Sequence, residues 1–116
     1  MDFQEAAKAH RDWNTKLRLY LNGSGMLNPE DIQKDNLCAL GQWIYGEGKK
    51  NIIYAEYEEL RKIHIKFHEN AAEIVRLIDS NKKEEANLKL GADSKFRELS
   101  LKILTLLSFM EKKAAA

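Results

Sequence analysis

Between Ile53 and Ile78 the apolar residues return at helical spacing, and two histidines stand among them. Ile53, Tyr57, Leu60, His64, Phe67, His68, Ala71, Val75 and Ile78 fall on one side of a predicted long helix. A stripe this regular has to be covered by other helices, and imidazoles set inside it carry ring nitrogens that need partners once water is gone. The first segment repeats the pattern. Phe3, Ala6, His10, Leu17 and Leu21 share a face, with Trp13 and Tyr20 along its flank, so a third histidine points at the core. These three are all the histidines in the chain.

The rest of the chain supplies the helices that cover those faces. Asn28 before Pro29, followed by Glu30 and Asp31, combines an N-cap, a favourable first helical residue and negative charge in the first turn. It predicts a shorter helix running to about Tyr45 and carrying Cys38. Glycines at Gly23 to Gly25 and Gly46 to Gly48 read as connections, as does the polar run Ser80 to Glu85. Phe96, Leu99, Ile103, Leu106 and Met110 then alternate steps of three and four, a packing seam. Leu101, Leu104 and Leu107 add a second apolar strip to that helix, more than one small bundle easily buries, which predicts a homodimer. The expectation is an all-α, antiparallel four-helix bundle with a short second helix, a fold that commonly builds metal sites from facing helices. Residues 1–113 read as one domain, and Ala114 to Ala116 as a linker or cloning remnant.

Charge and hydropathy remove several functions. Lysine and arginine total 19 against 18 acidic residues, so there is no electrostatic footprint for nucleic acid. The stretch from Leu99 to Met110 is interrupted by Lys102 and falls short of the roughly 20 residues that span a bilayer, so no direct membrane insertion is expected. A single cysteine makes no internal disulfide, and no signal-peptide pattern opens the chain; together they predict a cytoplasmic protein.

His10, Cys38, His64 and His68 offer three imidazoles and a thiolate, a set that fills the tetrahedral shell of Zn2+. His64 and His68, four residues apart, stack on one helical face about 5–6 Å apart at Cβ. The competing reading of Cys38 is a small buried hydrophobe. Four protein donors leave no open position for substrate or water, which argues against an enzyme. Ile65 follows His64, so a zinc-protease HExxH is absent. Ala7, Arg61 and Ile65 stand where a di-iron carboxylate bundle needs glutamate, and three histidines are too few for an oxygen carrier resembling hemerythrin. Gly41 and Gly46 have P-loop separation, but Glu47 stands in place of the lysine. Around the ligands, Asp35 precedes Cys38 by three residues and can accept from an imidazole, with a solvated role as the alternative. Gly41 would admit a neighbouring helix close to the metal, and Trp43 would pack beside it as an apolar body, with plain helix packing and core burial as the alternatives.

Taken together, His10 with Trp13, the run Cys38-Ala39-Leu40-Gly41-Gln42-Trp43, and His64 with His68 resemble, in order and separation, the bacterial chemoreceptor zinc-binding (CZB) domain. Ile44-Tyr45-Gly46 and the Phe67-His68 pair are similar to that family as well. The resemblance implies that His10, Cys38, His64 and His68 are the zinc ligands. It implies further a homodimeric sensory module attached to a chemoreceptor or a diguanylate cyclase, passing zinc availability or cysteine oxidation, such as by hypochlorite, to that signalling domain. Cys38 is then the redox-reactive residue, because thiolate is the form that attacks oxidants. The alternative is a structural or protein-interaction bundle that zinc merely holds together.

Overall fold

The first helix starts where its sequence allows its amides to be satisfied. Asp2 takes extended backbone and its carboxylate accepts from the N–H groups of Gln4 and Glu5, and helix α1 then runs Phe3–Leu21. The computed structural model describes residues 2–115. After α1 come α2 (Pro29–Gln33), α3 (Ala39–Tyr45), a 3-10 turn over Glu47–Asn51, α4 (Ala55–Asp79), α5 (Lys83–Lys89) and α6 (Lys95–Ala115). The fold is all-α, and no strand occurs among the described residues. Three long helices form its frame, with α4 in the middle against α6, α2, α5, α1 and α3.

The expected second helix is two helices. Asn28 caps α2 as predicted, but Lys34 turns to extended backbone and ends it. The chain crosses Asp35 to Leu37 and restarts at Cys38, whose Sγ accepts the Gly41 N–H at 3.4 Å. Cys38 is therefore the N-cap of α3 rather than a residue within a longer helix. Gly41 explains why the crossing can fold back: a Cβ there would lie 1.7 Å from the Asp35 carbonyl oxygen. The close neighbour is this connecting loop, not the adjacent helix that the sequence suggested.

Three other expectations are corrected. The run Ser80 to Glu85 is only partly a connection, because α5 begins at Lys83, with Glu84 and Glu85 in its first turn and Ala86 buried. Arg18 and Asn14 of α1 both donate to the Leu90 carbonyl just beyond it, which ties α5 to the frame. Ile53 lies ahead of α4 and is 81 % exposed, outside the stripe assigned to it. On α6 the seam Phe96, Leu99, Ile103, Leu106 and Met110 is buried as expected, and Leu107 joins it. Leu104 is half-buried and Leu101 exposed, so the second strip is narrower than the sequence implied.

The core is continuous from α1 through α4 to α6. Phe67 and Phe96 stack with ring centroids 5.2 Å apart, and His10 and His68 also lie against Phe67. Tyr20 of α1 donates to Asp79 at the far end of α4. No described helix is long and apolar enough to cross a membrane. Of the tail Ala114 to Ala116, α6 continues through Ala115 and Ala116 lies outside the described residues.

Candidate metal centre

Three helices deliver four donors to one point. His10 comes from the second turn of α1, His64 and His68 from consecutive turns in the middle of α4, and Cys38 from the start of α3. One donor atom from each lies within 4.8 Å of all the others. The His64 Nε2 to His68 Nε2 distance is 3.0 Å, and Cys38 Sγ lies 3.3 Å and 3.6 Å from those two nitrogens. Tetrahedral zinc with bonds of about 2.0–2.1 Å to nitrogen and 2.3 Å to sulfur has N···N edges near 3.4 Å and N···S edges near 3.6 Å. The protein alone already holds His64, His68 and Cys38 close to that size, with His10 within 4.8 Å of them.

Each imidazole has one nitrogen facing inward and the other turned to an oxygen. His10 Nδ1 donates to the Ala6 carbonyl at 2.9 Å and His68 Nδ1 donates to the Ile32 carbonyl at 2.8 Å. Those hydrogen bonds assign the proton to Nδ1 and leave the Nε2 lone pairs free, the tautomer a metal ligand needs. His64 Nδ1 lies 3.8 Å from Asp35 Oδ2, beyond a hydrogen bond but close enough for the carboxylate to favour a proton there. Asp35 Oδ2 in turn accepts the Tyr45 hydroxyl at 2.6 Å.

The protein by itself leaves this cluster unsatisfied. His10 Nε2 is buried with no partner, and so is His64 Nδ1. His64 Nε2 and His68 Nε2 lie 3.0 Å apart, and a cation between them lets both present lone pairs there at once. Burial pushes the His10 imidazole down to about 4, and burial followed by the other two histidines pushes His64 down still further. His68 is also lowered by burial, opposed by its bond to Ile32 and by Asp35. Burial thus favours the neutral form of all three, the form that binds a metal. Burial raises the Cys38 thiol, against the N–H groups of Gly41 and Leu40, and a cation beside the sulfur would favour the thiolate. The residues fit zinc, and zinc at this point would supply the charge that holds Cys38 as thiolate.

The neighbours are only partly those singled out from the sequence. Asp35 lies beside His64, and Gly41 lies under the loop that carries Asp35. Trp43 is buried against Phe3, at 5.3 Å, and against Gly48. The tryptophan edge-on to a ligand is Trp13, 6.1 Å from His68. Sequence reasoning missed Tyr45 and the Ile32 carbonyl. The Ala6 carbonyl was findable, being one helical turn before His10; nothing local marks Ile32, which is 36 residues from His68.

Residues 10–75 match the family model described as the chemoreceptor zinc-binding domain, a span that opens on His10 and takes in Cys38, His64 and His68. No curated protein and no solved structure matches the chain.

Proposed function

This chain belongs to the chemoreceptor zinc-binding domain family, and on that premise we propose that it is a cytoplasmic sensory domain whose zinc, held by His10, Cys38, His64 and His68, reports to a covalently attached signalling domain. The observation that carries this reading is the unequal mounting of the donors. The three histidines are 0–2 % exposed on the two long helices α1 and α4. Cys38 is half-buried at the tip of a 7-residue helix, joined to the frame through a loop. One donor is therefore partly exposed while three are not.

Two signals suit that arrangement. In the redox version the Cys38 thiolate attacks hypochlorous acid; sulfur takes the hydroxyl, chloride leaves, and sulfur is oxidised to sulfenic acid as chlorine is reduced. Cys38 is then lost from the donor set and residues 34–45 are freed from the three-histidine remainder, shifting the packing that an attached domain feels. In the zinc-availability version, occupancy alone favours the closed arrangement by mass action. Treating zinc-loaded protein with hypochlorite and following Cys38 sulfenate and zinc release together tests the first: stoichiometric loss of both thiol and zinc is expected, and an unmodified Cys38 rejects it.

The four donors leave no vacant position on a tetrahedral ion, which supports a sensor rather than an enzyme. Exposed Leu101 with half-buried Leu104 and Phe109 on α6 supports a second copy as the partner of that helix. Native mass spectrometry is expected to find a dimer with one zinc per protomer; a monomer at micromolar concentration rejects the pairing. The alternative reading, a zinc-stapled structural bundle, draws on the same donors bridging three helices, and predicts that removing zinc leaves an attached domain's output unchanged.

A further inference from the structure

Between α1 and the start of α3 a cleft of about 630 Å³ opens onto the metal centre. Its α1 wall is a single helical stripe, Asp2, Glu5, Ala6, Ala9, His10 and Trp13, and Cys38 and Gln42 stand on the opposite wall. Ala6 and Ala9 are the smallest side chains on that wall, and Ala9 is exposed, so a larger residue there would narrow the cleft. His10, 2 % exposed and with its Nε2 unpartnered, also lines it, and Cys38 is the only one of the four donors that is not fully buried. Leu40, Trp13 and the alanines make the floor apolar, while exposed Asp2 and Glu5 place negative charge at one end. Lys16 also lines the cleft, about three turns along α1 from Glu5, with its ammonium 5.0 Å over the Trp13 ring.

We propose that this cleft is the entry by which small uncharged molecules reach the Cys38 sulfur, and that Ala9 sets its bore. The class is neutral electrophiles and neutral oxidants: a mostly apolar lining imposes a desolvation penalty on ions of either sign. The inference deepens the redox reading above and rests on it for its biological meaning, but entry itself can be measured without any oxidant.

The test alkylates zinc-loaded protein with iodoacetamide and, separately, iodoacetate, which differ in charge and share one chemistry. The Cys38 sulfur displaces iodide from the methylene carbon, giving a thioether and iodide, and intact mass follows the product. Iodoacetamide is expected to outpace iodoacetate by roughly tenfold more than it does on an unstructured cysteine peptide, because the carboxylate must shed water to enter an apolar cleft. Ala9→Leu is expected to slow iodoacetamide by about tenfold or more through lost access, with zinc content unchanged, whereas Ala9→Ser keeps the wild-type rate. Ala9 is exposed in the middle of a helix, where leucine is well tolerated. Should Ala9→Leu lose helicity, Gln42→Trp narrows the same cleft from the exposed side of α3 and gives the same reading. Full-rate alkylation in a folded, zinc-bearing Ala9→Leu or Gln42→Trp protein overturns the proposal. Failure of hypochlorite to modify wild-type Cys38 would instead reject the redox reading and leave the entry result standing.

Discussion

The histidine side and the cysteine side of the metal centre are built on opposite plans. His10, His64 and His68 sit inside helices of 19 and 25 residues, in the same stripes that form the core. Moving any of them means moving the packing of Phe67, Leu60 or Leu17, which are fully buried. Cys38 sits on a helix of 7 residues whose link to α2 runs through Asp35 to Leu37, with Leu37 more than half exposed. A short helix does not hold itself, so its position depends on the packing of Leu40, Trp43 and Ile44 and on what its ends touch. Deep burial and partial exposure are thereby given to different donors of one site.

The most severe way to break the contrast is to attack the rigid side. His64→Ala removes a donor that is 0 % exposed and leaves a cavity in α4, and zinc affinity is expected to fall by well over the roughly hundredfold typical of a lost supporting group. Isothermal titration against the wild type measures it; retained tight binding would mean the other donors suffice. Removing zinc with a chelator should act next most strongly, and on one side only. Hydrogen exchange is expected to speed up over residues 34–45 while the centres of α1, α4 and α6 keep their protection. Uniform loss of protection would show that the two sides are one cooperative unit.

Smaller changes sharpen the comparison. Gly41→Ala forces a Cβ to within 1.7 Å of the Asp35 carbonyl unless the loop shifts, at an expected cost of about 1–3 kcal/mol. Weaker zinc binding with the far-ultraviolet circular dichroism intact would place that cost on the Cys38 side. Tyr45→Phe deletes the hydroxyl that orients Asp35 beside His64 and is expected to lower zinc affinity about tenfold, the low end for an outer hydrogen bond to a metal ligand. Unchanged affinity would mean that Asp35 is held well enough by its backbone, and Asp35→Asn would then separate its charge from its position.

The parts of this molecule that were legible beforehand are those written at helical period. The α4 stripe from Tyr57 to Ile78, the α1 face through His10 and Leu17, and the α6 seam all show in the structure because each is a repeat of 3–4 residues that a neighbour must cover. Ile53 was misplaced since an apolar residue in phase with a stripe still lies outside the helix if the chain has not yet entered it. The break between α2 and α3 was hidden for a related reason. Nothing at Lys34 to Leu37 forbids a helix residue by residue, and the turn exists because Gly41 gives the Asp35 backbone room and Cys38 caps α3. The helix α5 was concealed by polarity, since only Ala86 of its residues is buried.

By itself the sequence determined which side chains can ligate, that three of the four lie on apolar helical faces, and the order of motifs that marks the family. Those are local properties, set by residue chemistry and by the 3.6-residue turn. Tertiary structure decided how the donors face. The Nε2 atoms of His64 and His68 and the Cys38 sulfur come within 3.0–3.6 Å of one another because carbonyls of Ala6 and Ile32 hold the far sides of His10 and His68 and because α3 docks on α4. It also decided that a cleft leads to Cys38 and to no histidine but His10. Both depend on contacts between elements far apart in the chain, where a hydrogen bond or a gap is fixed by how helices pack and leaves no period in the residues to be read.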